Sequence, residues 1–318
     1  MRLPIVAAGN RQHTGDDMGR LAYRYIASAS VLLALCGPAA AADVLGVRPA
    51  HLGAELPAVP NDDAVLTRIW APEIDAGYVP QGLTFANGEV LVASYRSTDP
   101  KQGTGPCRVY RIDPASGRIV GQFDMPPACG HAGGMVYLGQ GMLLVADTRR
   151  LYKIDMGRAF AGAGDAVVAT LNLAGEMKGS LVDFDGKSIF IASSEKDAAK
   201  ARAYFLPISL FDTHNGRTLE PSQASRSFPV SVDAQGAAFD RDGALWMSFS
   251  NSKFGRLQKL DVTSGAVLAS HDMVIGIEDI AFDEEGRLWS VSEAGSLRWS
   301  RWQVSYPIVF SIDPRRLR

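Results

Sequence analysis

Cysteine is scarce in this chain of 318 residues: there are three, Cys36, Cys107 and Cys129, and no C-x-x-C pair. Charge of one sign is missing too. The 32 Lys and Arg stand against 34 Asp and Glu, a formal charge of −2 with no basic cluster. The electrostatic footprint of a nucleic-acid binder is therefore lacking. The apolar run Ile26 to Leu35 has ten residues, where a bilayer-spanning helix needs roughly 20. H-E-x-x-H, G-x-S-x-G and the phosphate-binding Gly loop do not occur, which counts against the enzyme classes whose chemistry needs them. No long stretch of 3.6 periodicity indicates a helical architecture. What is present, 47% hydrophobic and 21% charged residues, is the make-up of a globular protein with a sizeable core.

The run Ile26 to Leu35 reads as the centre of an export signal, with Arg20 and Arg24 before it and small residues after it. Ala40 and Ala42 fit a signal-peptidase site before Asp43. Asp16 and Asp17 put acidic charge where a leader is normally basic, so Met18 is the better start of translation. Residues 1–42 are expected to be leader and residues 43–63 an N-terminal segment. The protein is then periplasmic or secreted, with no membrane insertion after cleavage. Cys36 lies in "LLALCG", where Leu35 occupies the position at which a lipoprotein signal has Gly, Ala or Ser. Cleavage after Ala42 removes Cys36 and leaves Cys107 and Cys129, an even pair bound for an oxidising compartment. A single disulfide between them is expected.

Three segments repeat: "VPQGLTF" (Val79 to Phe85), "DAQGAAF" (Asp233 to Phe239) and "GIEDIAF" (Gly276 to Phe282). Aligned on the aromatic there are five copies, at Phe85, Tyr137, Phe184, Phe239 and Phe282, spaced by 52, 47, 55 and 43 residues. Each aromatic is followed by a Gly and an apolar run such as "EVLVAS" or "ALWMSFS", the pattern of a tight two-stranded hairpin. A second strand-and-turn signal follows in each copy, at Asp113, Asp155, Asp212, Asp261 and Asp313, where Asp starts the turn. Four strands in about 40–50 residues is the period of a propeller blade. The chain predicts an all-β fold, a five-bladed β-propeller over residues 64–318, with six blades as the alternative because residues 43–60 carry no readable pattern. The fifth copy stops after Asp313 with no room for a fourth strand. "AVLTRIW" (Ala64 to Trp70) supplies it, so the ring closes through an N-terminal strand.

The segments "FDRDGALW" (Phe239 to Trp246) and "FDEEGRLW" (Phe282 to Trp289) resemble blades of the senescence-marker-protein/gluconolactonase family and of NHL-type propellers, a likeness of framework over the whole chain after the leader. In the gluconolactonase-like enzymes a divalent metal lies in the central tunnel, on Glu, Asn and Asp side chains four residues before the blade aromatic. That position holds Gln81, Gly133, Ser180, Gln235 and Glu278, of which only Glu278 is a carboxylate. The resemblance thus implies calcium or another divalent metal on Glu278 and Asp279, with neutral oxygens from Gln81, Gln235 and Ser180. His131 in "ACGHAGG" approaches the tunnel mouth between glycines and is the candidate for moving protons. His51, His214 and His271 are expected at the surface.

Long connections between second and third strands, Tyr95 to Pro106, Glu195 to Ala203 and Glu293 to Pro307, share the top face on which inner strands begin. Long loops on a rigid scaffold carry binding, and the third concentrates Arg298, Trp299, Arg301, Trp302 and Tyr306. Two functions follow. One is an exported soluble propeller that binds a small molecule or an envelope protein at its top face and tunnel mouth through Gln81, His131, Ser180, Gln235, Trp299 and Trp302. The other is a calcium-type lactonase in which Glu278 and Asp279 hold the ion and His131 is catalytic.

Overall fold

The strands of this chain are apolar at consecutive positions because both faces of each sheet are covered. In Met142–Asp147, Leu143 and Val145 enter one hydrophobic core while Leu144 and Ala146 enter the next. The computed structural model describes residues 43–318, so the leader, the cleavage site, the Met18 start and Cys36 lie outside the described residues.

Five antiparallel sheets form the blades. Blade 1 is Tyr78–Ala86, Glu89–Arg96, Cys107–Ile112 and Ile119–Asp124; blade 2 is Gly134–Gly139, Met142–Asp147, Arg150–Asp155 and Val167–Leu173. Blade 3 is Leu181–Phe184, Ser188–Ala192, Arg202–Pro207 and Arg226–Pro229. Blade 4 is Ala234–Phe239, Leu245–Ser250, Gly255–Leu260 and Val267–Met273. Blade 5 takes Ile277–Phe282, Leu288–Ser292 and Ile308–Ile312 from the end of the chain and Val65–Trp70 from the beginning. The closing pair is antiparallel, from Val65 opposite Ile312 to Trp70 opposite Ile308. The first strands of the five blades touch one another in a closed ring, and five hydrophobic cores fill the wedges between neighbouring blades. The count is five, with no sixth sheet among the described residues.

The hairpin and motif residues have local causes. Asn87 and Gly88 both take positive φ, 53° and 81°, the conformation a two-residue hairpin turn requires. In the two motifs resembling family blades, Asp240 accepts from the Ala244 N–H and the Trp246 indole, and Asp283 from the Arg287 N–H and the Trp289 indole. One carboxylate thus closes the hairpin and fixes the tryptophan packed behind it.

Blade 3 departs from the expected pattern. Its third strand ends at Pro207, and Asp212 lies in a short helix, Leu210–Thr213, rather than at a strand end. Thr218–Leu219 then pairs parallel to Val167–Leu173 and widens blade 2 to five strands. The helix and the added strand account for the long 55-residue spacing.

Candidate functional site

The inner strands of blades 1, 4 and 5 are interrupted at the same place. Between Pro80 and Leu83, between Ala234 and Gly236, and between Ile277 and Ile280, the inner strand has one residue more than its partner. Such a bulge re-aims the side chains beside it, and here these are Gln81, Gln235 and Glu278. One residue further on, blades 1, 2 and 4 have glycine because neighbouring inner strands pass too close for a side chain. A Cβ on Gly134 would lie 2.6 Å from the Leu181 Cα, and one on Gly236 would lie 2.5 Å from the Asp279 Cα.

Blade 5 has Asp279 at this level. Its Oδ2 accepts the Leu83 N–H of blade 1 at 2.9 Å and the Met135 N–H of blade 2 at 2.8 Å, so the side chain reaches across the ring. Its Oδ1 is buried without a partner. Above it Glu278, 2% exposed, faces Glu293, the first residue of the long loop of blade 5. Gln81 donates to Glu293 Oε2 at 2.9 Å. The Trp299 indole also faces the Glu293 carboxyl, without reaching good hydrogen-bond geometry.

Burial governs the charge of this cluster. It pushes Glu293 up to about 7, against the opposing pull of Trp299, Gln81 and Glu278. Glu278 is raised well above the usual carboxylate range by burial first and then by the charges of Glu293 and Asp279. Asp279 is also raised by burial, and its neighbour Asp183, deeper on blade 3, is pushed up to about 7 by the same cause. Glu293, Glu278, Asp279 and Asp183 thus form a column of acids running inward from the top face. Hydrogen bonds and mutual repulsion act on them, and none is paired with a cation among the described residues. The carboxyl groups of Glu278 and Glu293 face each other, and each shifts the titration of the other.

The loop Glu293 to Pro307 roofs the site with a stack of planar groups. Trp302 and Trp299 stack at 5.0 Å, and the Arg298 guanidinium lies 4.1 Å from Trp299 and 5.5 Å from Tyr95. Tyr95 in turn stacks on His131 at 4.7 Å. Arg298 spends its donors on the Tyr95 hydroxyl and on the carbonyls of Asp99 and Pro100. His131 Nδ1 bonds the Gly103 carbonyl at 2.7 Å, and burial lowers the ring's pKa. The turn carrying His131 is held by Asp147, which accepts the N–H groups of Gly130, His131 and Ala132. Ala132 sits there at φ 51°, a left-handed conformation that a non-glycine residue keeps only when its surroundings enforce it.

Of the residues singled out in the sequence, Gln81 and Glu278 meet at the axis, and His131, Trp299 and Trp302 meet in the roof. Gln235 donates instead to the Ser250 carbonyl at 3.2 Å, and the Ser180 backbone packs on Gly133. Glu293, Tyr95 and Arg298 complete the arrangement and carried no motif. The signal for Glu293 was its position, at the end of an inner hairpin and the start of the longest top loop.

A divalent ion on Glu278 and Asp279 lacks a donor set in this geometry. Among the described residues, the one group of three His, Cys, Asp or Glu side chains whose ligand atoms lie within 4.8 Å of one another is Cys107, Cys129 and Asp147. Calcium gathers six to eight oxygens, and the acids at the axis do not converge that way. The cysteine group is short as well, because Asp147 is occupied by three N–H donors and a zinc site needs four ligands. Cys107 and Cys129 stand as buried thiols side by side, and the Cys107 thiol is raised first by its hydrogen bond with Cys129 and then by burial.

The fold and site define a five-bladed β-propeller with an acidic, roofed axial mouth. No family model matches the sequence, and no curated protein matches it. The chain is similar in fold to the crystal structure of glutaminyl cyclase from Myxococcus xanthus, with a TM-score of 0.55 at 11% identity over 78% of this chain and 94% of that one. It also matches the PQQ-bound aldose sugar dehydrogenase of Streptomyces coelicolor at a TM-score of 0.41 and 14% identity, over 82% and 88% of the two chains. A putative gluconolactonase matches at 0.39 and 18%, over 68% and 72%. The likeness to the cyclase shows the propeller fold.

Proposed function

We propose that this protein is an exported propeller that binds a small molecule at its axial mouth, with Gln81, Glu278 and Glu293 as its polar contacts and the Trp299–Trp302 loop as its roof. The observation that carries this reading is Glu278 Oε1, a buried carboxyl oxygen with no hydrogen-bond partner, beside the Gln81–Glu293 hydrogen bond that joins blades 1 and 5. Buried polar atoms are rarely left unpaired, and convergent polar groups in a concave site are the usual mark of a ligand pocket. A small molecule fits better than an envelope protein because Gln81 and Glu278 are 3% and 2% exposed, out of reach of a flat protein surface.

A thermal-shift screen of small polar metabolites on the mature protein and on Glu278→Gln tests it. A ligand at 100 times its Kd stabilises the native state by about 2.7 kcal/mol, and that gain should be lost in the variant. Ligands that stabilise both proteins equally would remove the site from this reading.

A second reading, acid–base catalysis, is favoured by Glu293, which burial pushes up to about 7, facing Glu278, which burial also raises, since a catalytic pair works best with pKa values near the operating pH. The glutaminyl cyclase that shares the fold is an enzyme by name.

Export also bears on Cys107 and Cys129. In an oxidising compartment the two thiols, adjacent and beside a surface cavity of about 640 Å³, lose two protons and two electrons to a disulfide oxidant and become bonded. Closing this loop contributes roughly 3 kcal/mol in the chain-entropy account. Thiol titration of denatured, unreduced protein from the periplasm or medium should find no free cysteine; two free thiols would refute the bond.

A further inference from the structure

We propose that the axial site selects a positively charged organic ligand, an amine in its ammonium form, and not a metal ion or an anion; this rests on the binding reading above. The first support is the charge inventory. Four carboxyl groups, Glu293, Glu278, Asp279 and Asp183, line one path with no cation paired to any of them among the described residues. A buried carboxylate without a counter-charge favours a ligand that brings one. Arg301 of the roof loop is exposed, and three other basic groups of the top face are committed elsewhere. Arg298 is turned to Tyr95, Asp99 and Pro100 of blade 1, Lys178 pairs with Glu195, and Arg149 is taken by the carbonyls of Gly175 and Met177.

The second support is independent of charge. Glu278 Oε1 is buried and unpartnered, and so are the nearby hydroxyls of Ser94, beside Gln81 on the adjoining strand, and of Ser296, in the roof loop. An ammonium group has three N–H donors to offer to such acceptors. The third is the roof. Trp299 turns its indole N–H edge to Glu293, and its ring, stacked on Trp302 and under the Arg298 guanidinium, covers the carboxyl pair. Excluding water strengthens an ammonium–carboxylate contact. A metal ion is disfavoured by the spread of the acidic oxygens, which do not gather in threes within 4.8 Å.

The test is a calorimetric titration and thermal-shift series with four probes of one shape and different charge: n-butylammonium, n-butanol, butyrate and calcium chloride, at matched ionic strength. Butylammonium should bind at least tenfold more tightly than butanol, with no binding of butyrate. Glu293→Gln should weaken the amine tenfold or more while leaving far-UV circular dichroism unchanged. Where that variant fails to fold, wild-type protein gives a second readout. The titratable group facing Glu293 is Glu278, with Gln81 and Trp299 beside it, and as the pH falls below 7 the charge of Glu293 is lost, so amine affinity should fall up to tenfold per unit while the amine stays protonated. Tighter binding of butanol, butyrate or calcium, or no binding of the amine, overturns the proposal. A neutral ligand that depends on Glu278 would overturn the charge preference and leave the binding site standing. No ligand of any charge that depends on Glu278 or Glu293 would remove both.

Discussion

A chain that begins at Pro72 will lose its solubility, while one that begins at Asp43 will not. The truncation removes Val65–Trp70, the outer strand of blade 5, and strips Ile308–Ile312 of its partner. Ile69 and Trp70, 0% and 5% exposed, disappear from the cores on either side of that blade. Each such side chain contributes roughly 1.5–3 kcal/mol by burial, against a total stability of about 5–15 kcal/mol for a typical domain. The bared strand also presents a row of unpaired backbone groups, which templates aggregation. The soluble fraction after expression and the urea midpoint measure the effect. Equal solubility and an unchanged midpoint would show that the ring does not depend on its N-terminal strand.

The acid column should make the protein more stable at pH 5 than at pH 8. Unfolded Asp and Glu titrate near 3.9 and 4.3. In the folded protein Asp183 and Glu293 are pushed up to about 7, and Glu278 and Asp279 are raised as well. Between these limits the folded state holds protons that the unfolded state has released. Stability is therefore fully present below the unfolded values and falls as the pH rises through 7. Glu293 alone accounts for on the order of 3 kcal/mol, and a loss of that size lowers Tm by roughly 6–12 °C in a domain of this length. Asp113, Asp261 and Asp313 are lowered by hydrogen bonds from Ser116, Ser264 and Arg315, so their opposite contribution is lost only in stronger acid. Within the window only His131 among the described residues, lowered by burial, opposes the four acids. Glu293→Gln and Asp183→Asn should each flatten the dependence between pH 5 and 8. A Tm that climbs over this range, or variants with the wild-type slope, would contradict the placement of the column.

The propeller was readable because its period is carried by local chemistry. The aromatic, the turn glycine and the apolar run recur in every blade, and the absence of a fourth strand after Asp313 directed attention to Ala64–Trp70. Asp212 misled because an Asp followed by Gly two to four residues later opens turns and short helices alike. The axial site was half readable. Gln81 and Glu278 occupy a repeated position, so they could be placed by counting. Asp279 looked like a ligand because it neighbours Glu278, yet the bulge between Ile277 and Ile280 sends it to the backbones of Leu83 and Met135. Glu293 meets Glu278 through the fold of blade 5, a contact that no spacing rule announces. Tyr95 and Arg298, 203 positions apart, meet only after two loops have folded over the top face.

The closing strand also sets an order on folding. Trp70 and Ile308 are paired neighbours 238 positions apart in the chain, so the first strand made is among the last to find its partner. Until residues 308–312 emerge, Val65–Trp70 has no sheet to join, and blade 1 has no neighbour on that side. Contacts of such long sequence separation slow folding and expose strand edges while it proceeds. Refolding from denaturant should therefore show a slow final phase in which Trp70 becomes buried. A circular permutant that joins Arg318 to Asp43 and opens at a loop between other blades would make the closing pair local and shorten that phase.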